Sequence, residues 1–489
     1  MKLNRRGYIA VEIILASIVS ITIAVFLIDI TIRLVNRTDN NYIDTIFVSD
    51  KALLTKNIKE EIENDISNNG VIDSISCSNS NCNIEFTDGS SKNLSIEGNK
   101  VTYGSYTKEV DKRLGGEVKV NSSISNDKKY IIINITFTNI FDDSDYSVIV
   151  PISNKKYPPT LAKYITNLYT NASKTKPPKN NGIDYNYASS ESLMNDRLGG
   201  TTTDLDGGNI RYYGASPNNY IYFNCSDYNN QSDTTCEKWR IIGVFDGKVK
   251  IIRNESIGDY SWDTSASGVN SGRGENEWPQ ADLMKLLNPG YENETVGGSL
   301  YYNKGSDTCY SGQNNATKSC NFTSSGIKNE ETKNKIAEVT WNLGGWNDYN
   351  VFSNQIYGYE RGTEVYSGRS TTWTGRIALP YPSDYGYATD FNKCSQNLSN
   401  YGNSTDSYAC RSNDWMYPII TNSGASNGWL LTSYSGNASL AWYVNSSGVV
   451  YYLDNLTFYA YGVAPVLYLG SNVIRVDGYG TIDNPYRIK

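Results

Sequence analysis

The stretch Arg5-Arg-Gly-Tyr-Ile-Ala-Val-Glu12 stands directly before a charge-poor, apolar run at residues 13–32. A short basic leader ends at a glycine, one bulky aromatic residue follows, and a single carboxylate, Glu12, lies at the head of the apolar run. An ionisable side chain at the edge of hydrocarbon needs a partner or a function. About twenty apolar residues in a helix are enough to cross the core of a bilayer. The sequence therefore predicts a membrane-anchoring helix in which Glu12 has a specific role.

This junction resembles the N-terminus of type IV prepilins, over residues 1–35. The resemblance implies cleavage after Gly7, a mature chain that begins at N-methylated Tyr8, and a Glu12 that neutralises the terminal amine of a neighbouring subunit. It also implies three partners: a prepilin peptidase, other pilin subunits and, before assembly, the membrane. A plain membrane anchor or a cleaved secretory signal shares the basic and apolar pattern. The predicted location is the cell membrane, through one N-terminal helix, and then an extracellular filament at the cell surface.

Composition excludes several classes of function. The 489 residues carry 44 basic and 51 acidic side chains, a net charge of −7, and no histidine. The acidic balance disfavours a nucleic-acid partner, because such binding rests mainly on neutralising phosphates. The lack of histidine rules out Ser-His-Asp and Cys-His catalysis and histidine-ligated zinc. Composition leaves carboxylate, lysine and tyrosine chemistry open. The sequence shows no catalytic groups, however, and we expect no enzymatic activity, no cofactor and no metal.

Eight cysteines form four sets of sequence neighbours: Cys77 and Cys82, Cys225 and Cys236, Cys309 and Cys320, and Cys394 and Cys410. No Cys-x-x-Cys motif occurs, which disfavours redox motifs and zinc ribbons. An even number of close cysteines in a chain with an export signal predicts four disulfides, although spacing alone does not fix the connectivity. Such bonds place most of the chain outside the cytoplasm.

The pattern along the chain predicts five segments: a leader at 1–7, a transmembrane and pilin helix at 8–70, a pilin-like β-sheet domain at 71–152, a linker at 153–208, and an extracellular domain at 209–489. Ile58, Ile62 and Ile66 recur every four residues, which is typical of one helix face. Residues 130–138 and 146–152 alternate as strands do. Prolines and glycines in 153–208 favour a semi-rigid spacer.

The distal segment is rich in Tyr, Trp and Gly. It contains the block Lys238-Trp-Arg-Ile-Ile-Gly-Val-Phe-Asp-Gly-Lys-Val-Lys-Ile-Ile-Arg253. This block predicts a hairpin that turns at Asp246-Gly247. Helices are predicted at 280–287 and 330–341, each followed by glycine-containing stop signals.

These distal blocks resemble uncharacterised surface domains of low-GC bacteria, which are themselves similar to the C-type-lectin-like fold of formylglycine-generating enzymes. The resemblance covers about 280 residues and implies fold more than activity. The expected fold class is α+β: a long N-terminal pilin helix with a small antiparallel sheet, then a C-type-lectin-like domain with short strands, two helices and long loops.

A candidate ligand surface lies in the segment 437–455, which is predicted to be a hairpin. Its period-2 pattern assigns Trp442 to the core face and Tyr443 to the other face. Tyr443, Asn445 and Tyr452 are therefore the predicted ligand contacts. The alternative is an ordinary half-buried hairpin without a ligand.

Taken together, the segments predict a pilin-like surface protein, a minor or tip subunit of a type IV pilus-like filament, which displays a domain for adhesion or ligand capture. Its ligand would be a glycan or a protein on another surface. The alternative is a minor pseudopilin of a secretion or DNA-uptake machine, in which the distal domain makes protein–protein contacts.

Overall fold

A computed structural model describes residues 5–155, 158–196, 208–264, 274–312, 316–348, 350–401, 405–452 and 457–489. Within these ranges, the side chains of residues 5–16, 18–19, 32–42, 45 and 405–407 lie outside the description. The chain divides into two compact units, Met1–Pro158 and Pro159–Lys489. We call them the first unit and the second unit.

The first unit begins with helix α1 (Arg5–Asn69). In its second half, four side chains spaced four residues apart are fully buried: Leu54, Ile58, Ile62 and Ile66. Residues four apart lie on one side of a helix, so this stripe is the side that packs on the core. Gly70, at φ +96°, follows the helix, and its N–H binds the carbonyl of Ile66. A glycine in the left-handed region is a common way to end a helix.

The first unit contains eight strands in two antiparallel sheets. They are β1 (Ile72–Ser78), β2 (Asn81–Phe86), β3 (Ser91–Glu97), β4 (Lys100–Tyr103), β5 (Tyr106–Glu109), β6 (Val118–Ile124), β7 (Tyr130–Thr138) and β8 (Asp145–Ser153). The first five form one meander and the last three form another. In β7, Ile131, Ile133 and Ile135 are buried and alternate with less buried residues, and α1 packs against β8. The core of this unit therefore lies between the helix stripe and the alternating strand faces.

The second unit contains seven short helices and nineteen strands among the described residues. The helices are α2 (Leu161–Asn171), α3 (Asp282–Leu287), α4 (Glu330–Lys335), α5 (Ser353–Glu360), α6 (Pro382–Tyr387), α7 (Thr405–Ser412) and α8 (Tyr417–Ile420). The strands are β9 (Asn186–Ala188), β10 (Leu193–Asn195), β11 (Ile210–Tyr212), β12 (Tyr220–Phe223), β13 (Glu237–Phe245), β14 (Lys248–Arg253), β15 (Asp259–Ser261), β16 (Ser306–Tyr310), β17 (Thr317–Asn321), β18 (Val339–Asn342), β19 (Thr372–Gly375), β20 (Ile377–Ala378), β21 (Gly428–Ser433), β22 (Ala441–Val444), β23 (Val450–Tyr451), β24 (Ala460–Gly462), β25 (Val466–Tyr468), β26 (Arg475–Asp477) and β27 (Arg487–Ile488).

Two larger sheets organise the second unit. The first has eight strands in the order β20-β25-β14-β13-β11-β10-β9, with β12 also paired to β13. The second has five strands in the order β15-β24-β21-β22-β23. One large core, rich in tryptophan, joins them; Trp239, Trp262 and Trp429 are buried to the last per cent. At the β13–β14 turn, Asp246 and Gly247 both have positive φ, as a two-residue hairpin of this type requires.

The predicted fold class is wrong. Across the described ranges, strands dominate, with twenty-seven of them against eight α-helices, and apart from α1 these helices span only 4 to 11 residues. The segment 330–341 shows why. Its helix ends at Lys335, and Val339 and Trp341 instead lie in β18, paired with β19. β-Branched and aromatic side chains favour such a pleated, half-buried position over a further helical turn.

The segment predicted as a linker, 153–208, contains ordered structure of the second unit. Helix α2 places Leu161, Ile165 and Tyr169 in the core, all buried to the last per cent. Strands β9 and β10 extend the eight-stranded sheet at its edge. The second unit thus begins at Pro159 rather than at residue 209, because an amphipathic helix follows directly after the prolines.

The predicted membrane anchor also has to be corrected. In the part of the chain that the structure describes, no helix combines the length and the apolar character that crossing a bilayer requires.

The four disulfides are confirmed. Cys77 is bonded to Cys82, Cys225 to Cys236, Cys309 to Cys320, and Cys394 to Cys410. Disulfides of this number are typical of proteins in oxidising, extracellular environments.

Candidate functional site

The predicted exposure of Tyr443 is wrong. Its side chain is 4% exposed, and its ring lies 5.4 Å from that of Tyr461 and 6.3 Å from that of Trp429. Strand β22 lies between β21 and β23, and all four of its residues are buried. Both faces of this strand are covered, so the alternation that assigned one face to solvent does not apply.

Asn445 and Tyr452 have local roles in the same hairpin. Asn445 Oδ1 accepts the backbone N–H groups of Ser447 at 2.9 Å and Val449 at 3.0 Å, which closes the turn. The half-buried ring of Tyr452 stacks on Tyr434, with centroids 4.0 Å apart. The structure therefore does not bring the three predicted ligand residues together on an open surface.

The predicted processing residues stay predictions. The backbone of Gly7, Tyr8 and Glu12 lies in α1, and their side chains fall outside the described part of the chain.

A pocket of about 340 Å³ lies in the second unit, beside the β13–β14 hairpin. We call it the aromatic pocket because five rings line it: Phe245, Trp341, Tyr357, Tyr381 and Tyr468. Its volume is within the range of pockets that hold small ligands. Val339 and seven polar or charged side chains complete the lining; the seven are Asn209, Asp246, Lys248, Glu338, Thr340, Asn342 and Arg361.

The rings of the aromatic pocket are fixed by strands and by their own polar atoms. Trp341, from β18, has its ring centroid 5.1 Å from that of Tyr468, from β25. Trp341 Nε1 donates to the carbonyl of Gly375 at 3.1 Å, and Tyr381 Oη donates to the carbonyl of Asn342 at 2.8 Å. With their hydrogen bonds satisfied by the backbone, these two rings contribute apolar faces in fixed positions.

A row of four residues crosses the eight-stranded sheet beneath the aromatic pocket. Arg211 pairs with Gly243, Gly243 with Lys250, and Lys250 with Tyr468. A Cβ atom on Gly243 would lie 2.2 Å from the carbonyl oxygen of Ile210, so only glycine allows the strands to approach this closely.

Six charged residues form what we call the charge cluster: Asp196, Arg211, Lys250, Glu360, Arg361 and Asp384. Arg211 donates through Nη1 to Asp384 Oδ1 at 2.9 Å and through Nε to Asp196. Lys250 Nζ donates to Asp384 Oδ2, and rings surround it, Tyr381 being the nearest at 4.4 Å. Asp196, Arg211, Lys250 and Asp384 are at most 2% exposed. Buried charges persist only with such partners.

Burial shifts the pKa values within the charge cluster. It lowers the pKa of Lys250 to about 8, although Asp384 acts in the opposite direction. It raises the pKa of Glu360 to about 7, against the effect of Arg361. Burial also acts to raise the pKa of Asp384, but Lys250 and Arg211 together hold it below its usual value.

Arg361 connects the charge cluster to the aromatic pocket. Its Nη1 lies 3.1 Å from Glu360 Oε2, and its guanidinium lies 3.4 Å from the ring centroid of Tyr357. Glu360 also accepts the backbone N–H of Ser383 at 2.8 Å. The Arg361 side chain is 27% exposed, whereas that of Glu360 is buried. A guanidinium that is already held in one orientation beside an aromatic ring loses little conformational entropy when it binds the oxygen atoms of a ligand.

This arrangement is suited to holding a ligand. Within the charge cluster, Lys250 and Glu360 have the pKa values closest to neutrality, but both side chains are fully buried and cannot touch a ligand. Among the described residues, no group of three or more His, Cys, Asp or Glu side chains could hold a metal ion.

Sequence reasoning missed the aromatic pocket. One signal was present in β14: Lys250 follows Val249 and precedes Ile251 and Ile252, and all four are buried. A lysine within an aliphatic strand indicates a buried charge with a distant partner. The partner itself, Asp384, lies 134 residues away.

No protein-family model matches this chain, no curated protein matches it, and no solved structure does. The resemblances of the N-terminal and distal segments therefore stay predictions.

Proposed function

We propose that this chain is an extracellular, pilin-like adhesion protein whose second unit captures a carbohydrate in the aromatic pocket. The observation that carries the proposal is the combination of aromatic walls with a half-buried cation held in one orientation, Arg361. The prediction of a surface adhesin is retained, and its binding site moves from the 437–455 hairpin to this pocket.

The lining of the aromatic pocket fits the two-sided chemistry of a sugar ring. The apolar C–H face of a sugar packs on flat aromatic rings such as the half-buried Tyr357 and Tyr468, and its hydroxyl groups need donors and acceptors at the rim. Asn209, Asn342 and Arg361 supply these at the pocket. Asn209 Nδ2 also donates to Tyr357 Oη at 2.9 Å, which holds that ring in place. The side chains of the pocket are therefore already ordered before a ligand binds, and binding costs little further conformational entropy.

Two further observations support display outside the cell as part of an assembly. Four disulfides fit an oxidising environment. On α1, large apolar side chains are more than half exposed: Ile21, Ile23, Val25, Phe26, Leu27 and Ile28. A contiguous exposed apolar stretch marks a contact surface, and helices of other subunits are the partner that the pilin-like proposal assigns to it.

Binding to an array of immobilised glycans, followed by calorimetry on each glycan retained, tests the carbohydrate site. Tyr357→Ala removes one wall and the ring beneath Arg361, and we expect at least a tenfold loss of affinity, about 1.4 kcal/mol. Tyr357→Phe keeps the ring and should retain most of the binding. Tyr479→Ala, at a tyrosine that is 68% exposed and does not line the pocket, is the matched control. If no glycan is retained, or if Tyr357→Ala binds as tightly as the natural chain, the carbohydrate proposal fails.

The pilin-like part is tested separately. Mass spectrometry of the N-terminal peptide from the native protein should find a chain that begins at N-methylated Tyr8, and an intact Met1 leader would refute processing. Shearing the cells should release the protein with filaments. Retention in the cell fraction would instead favour the role of an assembly component.

A further inference from the structure

A second and larger cleft, of about 730 Å³, lies in the second unit between the segment that joins β14 to β15 and the loop after α8. Arg240 lines it, together with polar residues that include Asn254, Ser256 and Ser423. We call it the Arg240 cleft. It shares no lining residue with the aromatic pocket.

Arg240 is buried without a carboxylate partner among the described residues. It is 5% exposed, and its hydrogen bonds go to neutral oxygens: Nε donates to Asn219 Oδ1, and Nη2 to the carbonyl of Pro217 at 3.4 Å. The other arginine with comparable burial, Arg211, has two carboxylates. Burial lowers the pKa of Arg240 to about 10, although Tyr220 acts in the opposite direction; no carboxylate contributes. A buried cation without a counter-charge is costly unless a ligand supplies one.

The guanidinium of Arg240 is held in one orientation. It lies 3.9 Å from the ring centroid of Tyr220 and 4.8 Å from that of Trp415. Together with the bonds to Asn219 and Pro217, these contacts fix the plane of the group, and in the described part of the chain its Nη1 has no hydrogen-bond partner. A preset guanidinium with a donor to spare is the recognition element for a carboxylate.

The opposite charge lies on the same cleft. Glu255 and Asp259 also line it, and both are exposed. On the same cleft, the lining residues Asn422 and Ser423 adopt positive φ values of +48° and +57°. Consecutive non-glycine residues in this region are strained, and such strain concentrates at binding sites. A purely anionic ligand would be repelled by Glu255 and Asp259. A ligand that carries one negative and one positive charge finds an opposite charge in the cleft for each of them.

We propose that the Arg240 cleft binds a zwitterionic ligand of the peptide or amino-acid class, with its carboxylate on Arg240 and its ammonium facing Glu255 and Asp259. The volume of the cleft accommodates several residues of a short peptide. This site is independent of the carbohydrate site proposed above.

Calorimetric titration of the full chain with triglycine, N-acetyl-triglycine and triglycine amide tests the proposal. The zwitterion should bind, and each blocked peptide, which lacks one charge, should bind at least tenfold more weakly. Arg240→Gln should abolish triglycine binding. The double variant Glu255→Gln/Asp259→Asn should bind triglycine and its acetylated form equally. Asp483→Asn, an exposed acid outside the cleft, is the control and should bind as the natural chain does.

Three outcomes would overturn the proposal: no triglycine binding at millimolar concentration, blocked peptides that bind as tightly as the zwitterion, or unchanged binding in Arg240→Gln. Far-ultraviolet circular dichroism establishes whether Arg240→Gln folds. If Arg240→Gln does not fold, the blocked peptides and the double variant Glu255→Gln/Asp259→Asn still test whether the cleft binds a zwitterion.

Discussion

Arg211 and Lys250 lie on one row of the eight-stranded sheet, two strands apart, and each binds a different oxygen of the Asp384 carboxylate. One acid on α6 therefore anchors two adjacent cations beneath the aromatic pocket. The packing of α6 on the sheet and the pairing of these two buried cations therefore depend on each other, because α6 carries the carboxylate that both cations share.

We predict that Asp384→Asn destabilises the second unit by about 3–5 kcal/mol, because it leaves two buried cations without their shared counter-charge. Urea unfolding followed by tryptophan fluorescence measures this. All nine tryptophans lie in the second unit, so the signal reports on that unit alone. Adding Lys250→Met to the Asp384→Asn chain should recover part of the loss, since one cation is then removed. A loss below about 1 kcal/mol would show that the charge cluster is not a structural anchor.

Gly243→Ala should destabilise the second unit by about 2–3 kcal/mol, since the new methyl group overlaps the Ile210 carbonyl and the strands must move apart. Gly358→Ala in α5 is the matched control. No atom lies within 4 Å of its new methyl group, and alanine favours the helix by up to about 1 kcal/mol. The same fluorescence-detected urea titration compares them. Equal midpoints for the two variants would contradict the close approach of β11 and β13.

Local features of the fold could be predicted from sequence. The helix stripe at Ile58, Ile62 and Ile66, the Asp246-Gly247 turn and the four disulfides all involve residues close together in the chain, where spacing and turn chemistry decide the outcome. A period-2 pattern, by contrast, cannot reveal whether the second face of a strand is also covered. This is why the pattern predicts Tyr443 in β22 to be at the surface although it is buried.

The aromatic pocket could not be predicted for a different reason. Its parts are far apart in sequence: Asp384 lies 134 residues from Lys250 and 173 from Arg211. Only the register of the eight-stranded sheet aligns Arg211 and Lys250, and no local pattern encodes that register. The helix expected to reach Trp341 also ends early, and this is what places that ring on a strand at the pocket wall.

Removing the Cys394–Cys410 disulfide should cost about 3 kcal/mol, the loop-closure value for its separation of 16 residues. The double variant Cys394→Ala/Cys410→Ala avoids a free thiol, and urea unfolding by tryptophan fluorescence gives the change. The Cys225–Cys236 bond closes a separation of 11 residues in the same unit and should cost a few tenths of a kcal/mol less. If neither pair of substitutions lowers the midpoint, these bonds do not constrain the unfolded chain.

Asp414 gives the second unit a stability that depends on pH. Its Oδ1 accepts the backbone N–H groups of Met416 at 2.8 Å and Tyr417 at 3.2 Å, whereas its buried Oδ2 has no hydrogen-bond partner in the described chain. Burial raises the pKa of Asp414 well above its usual value, although the two backbone donors act against this. The folded state therefore holds a proton on this carboxyl at pH values where the unfolded chain has lost it.

The sign of the effect follows from this difference. The contribution of Asp414 to stability is complete below the unfolded-state pKa of about 4, and it is lost as the pH rises through the higher pKa of the folded state.

Asp414→Asn keeps the acceptor for both backbone groups and removes the ionisation. We expect this variant to be more stable than the natural chain at pH 8, by about 1 kcal/mol or more, and the advantage to shrink as the pH falls to 4. Asp483→Asn, at an exposed acid, should show no such trend. Urea midpoints between pH 4 and pH 8 measure both variants, and an Asp414→Asn curve parallel to that of the natural chain would mean that Asp414 is ionised in the folded state.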